Sequence, residues 1–369
     1  MHGITGRMGM NQHLERSILP IIEQGGVELS NGDLVLPDPL LIGRNAEKLE
    51  AISKKYGLKK FTTKIDEAIS FQNYELFFDS GLTIMRPDLL KKAIRAGKHI
   101  YCEKPVSLSV KEANEVALLA EEQGIKTGVV QDKLLLPGLI KLKKLVDDDF
   151  FKKILSVKID FGYWVFTGET TPSQRPGWNY QKSKGGGIIF DMFCHWQYVL
   201  ENLFGKITSI ICQGANHIGK RWDENTKPYT ADADDAAYAI LCLENDIVVQ
   251  INSSWCTRVN RDDLVIFHVD GTKGSAVAGL TKCKIQSLEQ TPRPIWNPDE
   301  PQTMKFTGQW DEVYPELQTE NGFKQQWEMF IRYLYEDSPW KFTLQEAARG
   351  VRLAECAITS WSKRKWIAL

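Results

Sequence analysis

Between Leu40 and Val130 the chain alternates short apolar runs with amphipathic stretches, and this alternation constrains its fold more than any other feature. Leu40 to Ile42, Glu75 to Phe78, His99 to Cys102 and Lys126 to Val130 have the length and continuous apolarity of strands buried on both faces. Helical patterns separate them. Ser109 with Glu112 reads as a capping box for the helix before the last strand; Ala113, Val116, Ala117 and Ala120 supply its apolar stripe and Gly124 its stop. Strands that alternate with helices form a parallel sheet covered on both faces. The expected class is α/β, with such a sheet over residues 1–131.

After Gln131 the texture changes. A helix from Pro137 to Val146 leads into longer alternating strands: Ile154 to Tyr163, Ile207 to Gln213, Ala236 to Leu243, Ile247 to Trp255 and Leu264 to Val269. Glu244, Asn245 and Asp246 form a short hairpin connection. Residues 132–369 therefore read as a second domain, α+β, with a large, mainly antiparallel sheet. Two helices, Gly322 to Glu336 and Leu344 to Lys363, close the chain, the second with Thr343 as N-cap. Gln290 to Glu320, rich in Pro, Trp and Asp, reads as a long loop over the surface or the site.

A formal charge of −1 gives no general attraction to nucleic acid or to an anionic membrane, so neither is an expected partner. No apolar run approaches the ~20 residues needed to span a bilayer, and there is no signal-peptide core. Seven scattered cysteines without a Cys-x-x-Cys pair fit a reducing cytosol, and no cluster has metal-ligand spacing. A cytoplasmic protein without a bound metal is expected.

The N-terminus reads Gly3-Ile4-Thr5-Gly6-Arg7-Met8-Gly9 ahead of a helix from Asn11 to Glu23. Glycines at this spacing let backbone amides approach a dinucleotide pyrophosphate with no Cβ in the way. The strand that should precede them has only Met1 and His2. Either about a strand's worth of residues is missing or the cofactor site is crippled. Arg44, after the second strand, suits the 2′-phosphate of NADP, where an acidic residue would suit NAD. Glu103-Lys104-Pro105 follows a strand, where Lys104 can hold a substrate hydroxyl and Glu103 can orient the lysine.

Gly185, Gly186 and Gly187 run into a helix with Asp191, His195, Tyr198 and Asn202 on one polar stripe and Gly205 as its stop. Four residues apart, Asp191 and His195 can touch, as a carboxylate that orients a proton-transferring imidazole or as the polar edge of a core helix. The glycines would let another body come close, and a helix N-terminus favours a polar ligand. Trp178 and Tyr180, just upstream, suit a sugar-binding wall.

Taken jointly, Ala96 to Pro105, Gly185 to His195, Asp234-Asp235-Ala236-Ala237, Asp270 to Ser275 and the ending from Glu346 to Ile367 resemble the Gfo/Idh/MocA family, named for glucose-fructose oxidoreductase, inositol dehydrogenase and MocA. The resemblance implies a Rossmann domain followed by a domain whose open sheet mediates dimer or tetramer contacts. It also implies NAD(P)-linked hydride transfer at a hydroxyl or carbonyl carbon of a sugar, polyol or cyclitol. Lys104 matches the family's Glu-Lys-Pro lysine, which steadies the alkoxide; His195 is then the general base and Asp191 its orienter. The chain departs from the family at Ser80 to Pro87 and at Gln131-Asp132-Lys133, where Lys133 could face the substrate. Two alternatives use the same residues: a redox-cofactor glycosidase or lyase acting by transient oxidation and elimination, and a nucleotide-deficient binding or regulatory homologue.

Overall fold

The computed structural model of the chain describes residues 1–314 and 320–369, and these fall into two units. The first comprises Met1–Asp132, Phe193–Tyr198 and Glu320–Glu355, and so extends beyond the expected 1–131; the second takes in Lys133–Met192, Val199–Thr319 and Cys356–Leu369.

In the first unit, β1 (Leu41–Ile42) pairs in parallel with β2 (Phe61–Thr62), and β3 (Leu76–Asp79), β4 (His99–Cys102) and β5 (Thr127–Val129) form a second parallel set. His2 joins the two. It bridges in parallel to Ile42 and to Asp79, its N–H donates to the Phe78 carbonyl at 2.8 Å, and its own carbonyl accepts the Ser80 N–H at 3.1 Å. The spatial order β2, β1, His2, β3, β4, β5 is that of a Rossmann sheet. Met1 and His2, the residues expected to stand for the first strand, thus take its place, the Met1 carbonyl accepting the Ile42 N–H at 2.8 Å. A cavity of about 270 Å³ in this unit is lined by Leu40, Ile42, Leu76, Phe78 and Trp327 among others.

Helix α1 follows the glycines, with Met8–Ile18 wound as a π-helix and Leu19–Glu23 as an α-helix. It starts before the expected Asn11 because the Gly6 carbonyl already accepts the Met10 N–H at 2.9 Å. Leu14, Ile18, Leu41, Phe78 and Tyr101 fill one face of the sheet; Ile100 and Cys102 on the other pack with Leu90 and Ile94 of α2 (Arg86–Arg95) and Val116 of α3 (Val110–Glu122). The capping box at Ser109 does not form. Glu112 Oε2 accepts instead from Ser107 Oγ at 2.6 Å, and that hydroxyl accepts the Ser109 N–H at 3.0 Å. Gly124, with φ of 63°, ends α3 as expected, and the Ile125 N–H reaches back to the Ala120 carbonyl at 2.8 Å.

The second unit begins with α4 (Pro137–Asp147) and is built on β6 (Ile154–Gly162), β7 (Ile207–Ala215), β8 (Ala236–Leu243), β9 (Val248–Ser254), β10 (Val265–Gly271), β11 (Gly274–Ala278), β12 (Cys283–Ser287), β13 (Asp311–Glu312) and β14 (Ile367–Ala368). They form one nine-stranded sheet in the order β13, β12, β11, β10, β6, β9, β8, β7, β14. Only β6 and β9 pair in parallel. Val157, Ile159, Val249, Ile251 and Leu241 point to the covered face, whereas Lys158, Gln250, Tyr238 and Ile240 point outward, the two-residue alternation of a one-sided sheet.

Three further helices are α5 (Ile188–Leu203), α6 (Gly322–Glu336) and α7 (Leu344–Lys363). The last two have the expected bounds, and Thr343 Oγ1 accepts the Glu346 N–H at 3.3 Å as an N-cap. Of the expected loop from Gln290 to Glu320, Asp311–Glu312 pairs with β12, and residues 315–319 lie outside the described residues. No helix among the described residues is long and apolar enough to cross a membrane.

Candidate active site

A parallel sheet delivers its loops to one edge, at the carboxyl ends of its strands, and ligands bind there. Gly3 has φ of 75°, and a Cβ on it would lie 2.5 Å from the Ser80 carbonyl carbon; a Cβ on Gly9 would meet Ser80 Oγ at 2.5 Å. These two glycines thus admit the turn after β3. Gly6 is different. A Cβ there would meet only the Gly3 oxygen, at 3.2 Å, and Thr5, Gly6 and Arg7 are exposed at the head of α1. The Thr5 methyl lies beside Gly43, so this backbone stands next to the turn that carries the exposed Arg44, with Met8 half-buried behind it.

Glu103 and Lys104 leave the same edge from β4. Glu103 is buried and accepts from His13 Nε2 at 2.9 Å; its other oxygen accepts the Lys104 N–H at 3.2 Å. His13 Nδ1 in turn accepts from Trp327 Nε1 at 3.0 Å. Indole only donates, so His13 is neutral with its proton on Nε2, directed at the carboxylate. Burial opposes the charge on Glu103, but the His13 hydrogen bond and the nearby Lys104 and Arg86 charges outweigh it and hold the carboxyl below the usual range. Glu103 also ties α1 to the backbone at Lys104.

Asp79 and Arg86 were not anticipated. Asp79, at the end of β3, accepts from His2 Nδ1 at 2.5 Å, Arg86 Nε at 2.7 Å and the Gly81 N–H at 3.1 Å. The buried Arg86 also donates to the carbonyls of Gly81, at 2.8 Å, and Pro105. It thereby links the turn after β3 to the one that holds Lys104. The available signal was a carboxylate ending an apolar run, Phe77-Phe78-Asp79.

In the second unit the glycine run has another purpose than expected. A Cβ on Gly186 would come within 2.5 Å of the carbonyl oxygens of Trp178 and Asn179; Gly187 has φ of 124°, and its Cβ would meet Asp234 Oδ1 at 2.5 Å. Both glycines serve close packing inside their own unit. The Asp234 carbonyl accepts the Ile188 N–H at 2.9 Å, and its Oδ2 accepts that of Ile189 at 2.8 Å. The anion drawn to the head of α5 is thus the chain's own carboxylate. Its neighbour Asp235 accepts the N–H groups of His217 and Ile218, at 2.8 and 3.0 Å, which accounts for the acidic pair in the motif.

Farther along α5, Asp191 Oδ2 accepts from Arg175 Nη1 at 3.0 Å. His195, only 4% exposed, has its Nδ1 2.7 Å from Tyr198 Oη. Arg175 and Tyr198 are the partners that sequence spacing did not assign to the pair. Tyr180 lies in the interior, 1% exposed, its ring under the Arg221 guanidinium at 3.8 Å and edge-on to Trp255 at 5.3 Å, so it is a packing residue and not the expected substrate wall. Trp178 is 36% exposed. Lys133 is half-buried in the turn Asp132–Leu135. Gly3 to Gly9, Arg44, Glu103, Lys104 and His195 belong to the first unit; Lys133, Trp178, Tyr180 and Asp191 belong to the second.

Comparison with known proteins finds two matching family descriptions: an oxidoreductase family with an NAD-binding Rossmann fold over residues 40–131, and the GFO/IDH/MocA C-terminal domain over residues 139–277. The chain belongs to the GFO/IDH/MocA family. It is 50% identical over 371 residues to the D-xylose dehydrogenase of Paenarthrobacter nicotinovorans, an alignment covering 100% of this chain and 96% of that protein. The 1,5-anhydro-D-fructose reductase of Ensifer adhaerens is 20% identical, over 69% of this chain and 70% of its own length. The fold matches the solved structure of levoglucosan dehydrogenase in complex with NADH and levoglucosan, with a TM-score of 0.81 and 16% identity over 99% of this chain and 97% of that one.

The family member described here is an NAD(P)-dependent oxidoreductase acting on CH–OH groups. The residues present fit its dinucleotide. Thr5, Gly6 and Arg7 offer exposed backbone at a helix head, Gly6 leaves the approach open, and Arg44 adjoins the turn.

Proposed function

We propose that the protein oxidises a hydroxyl of D-xylose or a closely similar aldopentose, with NADP as the preferred cofactor. Full-length 50% identity to a D-xylose dehydrogenase is the observation that carries the substrate assignment. Arg44 carries the cofactor preference, as an exposed cation beside the Thr5 to Arg7 turn. A bound nicotinamide supplies the hydride acceptor for oxidation and the donor for reduction. The backbone of Gly3 to Gly9 would hold the pyrophosphate.

His195 takes the proton of the substrate hydroxyl, Lys104 steadies the negative charge that develops on that oxygen, and Asp191 holds the geometry. Tyr198 explains how one imidazole serves both directions. A hydroxyl can accept from a protonated Nδ1 or donate to a bare one, so at 2.7 Å it keeps the ring paired in either tautomer. Lys133 and Trp178 contribute to substrate choice. Buried, scattered thiols such as Cys102, pushed up to about 12 by burial, suit a reducing cytosol. The outward face of the large sheet, where Tyr238, Ile240 and Val248 are each about two-fifths exposed, is the proposed contact of a homodimer or homotetramer.

The test is reduced-cofactor formation with NAD and with NADP against D-xylose, D-glucose, myo-inositol and levoglucosan. Highest kcat/KM for D-xylose with NADP supports the assignment. Turnover of a glycoside without net cofactor reduction would contradict it.

A further inference from the structure

Among the described residues the buried Arg86 and Arg221 hold Asp79 and Asp235, and the half-buried Arg175 holds Asp191; Arg86 and Arg175 do so differently. Arg86 spends its donors largely on backbone carbonyls, those of Gly81 and Pro105, as a group that ties turns together does. Arg175 has side chains as acceptors. Its Nη1 donates to Asp191 Oδ2 at 3.0 Å and to Asn179 Oδ1 at 3.3 Å, its Nε donates to Tyr163 Oη at 3.1 Å, and its guanidinium lies 4.2 Å from the centroid of Trp255. The indole fixes the plane of the fork, and Tyr163 and Asn179 fix its rotation within that plane. Arg175 is 14% exposed in its side chain and Asp191 27%, so the pair is partly withdrawn from water while the carboxylate keeps an accessible side.

We propose that Arg175 is a positioning residue for the reaction, holding the Asp191 carboxylate in one orientation. This rests on the reading of Asp191 as part of the active site. Rotation about either side-chain torsion of an aspartate displaces its carboxylate oxygens, and a displacement near 1 Å at a reacting group costs about 10²-fold in rate. A planar guanidinium locked on three sides removes that freedom; a lysine ammonium is a point charge without the second and third anchors.

The experiment compares Arg175→Met, Arg175→Lys, Tyr163→Phe and Asp191→Asn in the full chain supplied with cofactor. Readouts are kcat, KM, cofactor affinity by nucleotide fluorescence, thermal melting, and rescue by guanidinium ion in solution. Arg175→Met should lower kcat by about 10²-fold with cofactor affinity unchanged, guanidinium should restore part of the loss, and Arg175→Lys should fall between the two. Tyr163→Phe, which loosens the anchor and leaves the charge, should lower kcat by a smaller factor. A folded Arg175→Met enzyme with kcat within about twofold of wild type overturns the proposal, as does a loss that guanidinium leaves untouched and that tracks a fall in melting temperature. If Arg175→Met does not fold, an unchanged kcat in Tyr163→Phe overturns it. Asp191→Asn separates the two levels. Wild-type turnover there removes Asp191 from the site, whereas a slow Asp191→Asn beside a normal Arg175→Met removes only the role of Arg175.

Discussion

At Asp79, burial and charge oppose each other. Burial favours the neutral acid, but Arg86 and His2 outweigh it and hold the carboxyl at about 2, against an ordinary 3.8. Its charge therefore stabilises the folded chain fully above the ordinary value, and that contribution disappears as the pH falls from there through about 2. It amounts to about 2 kcal/mol. Urea unfolding between about pH 5 and pH 2 should show wild-type stability falling in this window and Asp79→Asn lacking that part of the slope. Asp79→Asn should also be less stable at neutral pH by about 3 kcal/mol, because Arg86 is left buried without its counter-charge. Equal slopes in the two proteins would mean that Asp79 titrates normally.

At the scale of elements, the head of α5 depends on two contacts that no local pattern contains. Gly187 combines a positive φ with an Asp234 carboxylate that a Cβ would meet at 2.5 Å, and Asp234 caps the helix. Gly187→Ala should destabilise the protein by about 2 to 3 kcal/mol, read as a lower urea midpoint with unchanged m-value. A neutral result would show that the loop carrying Asp234 yields easily. The helix itself was legible, because its apolar arc repeats at the helical period and glycines flank it. So were β4, α6 and α7, where periodicity and caps agree. Asp234 under Gly187 and Ser80 under Gly3 and Gly9 escaped prediction because they are distant partners; Ser107 in place of Ser109 as the partner of Glu112 is a local exchange between two serines of similar reach. The helical spacing put Asp191, His195 and Tyr198 on one stripe, but Arg175 is brought to Asp191 by folding, and Tyr180 is drawn into the interior by the same cause. A one-residue strand such as His2 has no periodicity to detect; only its pairing on both sides defines it.

At the scale of the whole molecule, the outward face of the nine-stranded sheet is the surface on which the proposed oligomer depends. Ile240→Glu together with Tyr238→Glu should convert the wild-type oligomer to monomer in light scattering, with cofactor affinity retained, because a carboxylate placed in a desolvated contact costs several kcal/mol. A wild-type monomer would remove this assignment. The proposed catalysis rests on His195 as the proton-transfer residue, a buried imidazole whose Nδ1 lies 2.7 Å from Tyr198 Oη. Its most direct test is the rate of reduced-cofactor formation from D-xylose and NADP by His195→Ala, with nucleotide binding followed by fluorescence in the same samples. The account predicts wild-type nucleotide affinity and a rate lower by about 10²- to 10⁴-fold. A His195→Ala enzyme that binds nucleotide and reduces it at the wild-type rate would contradict it.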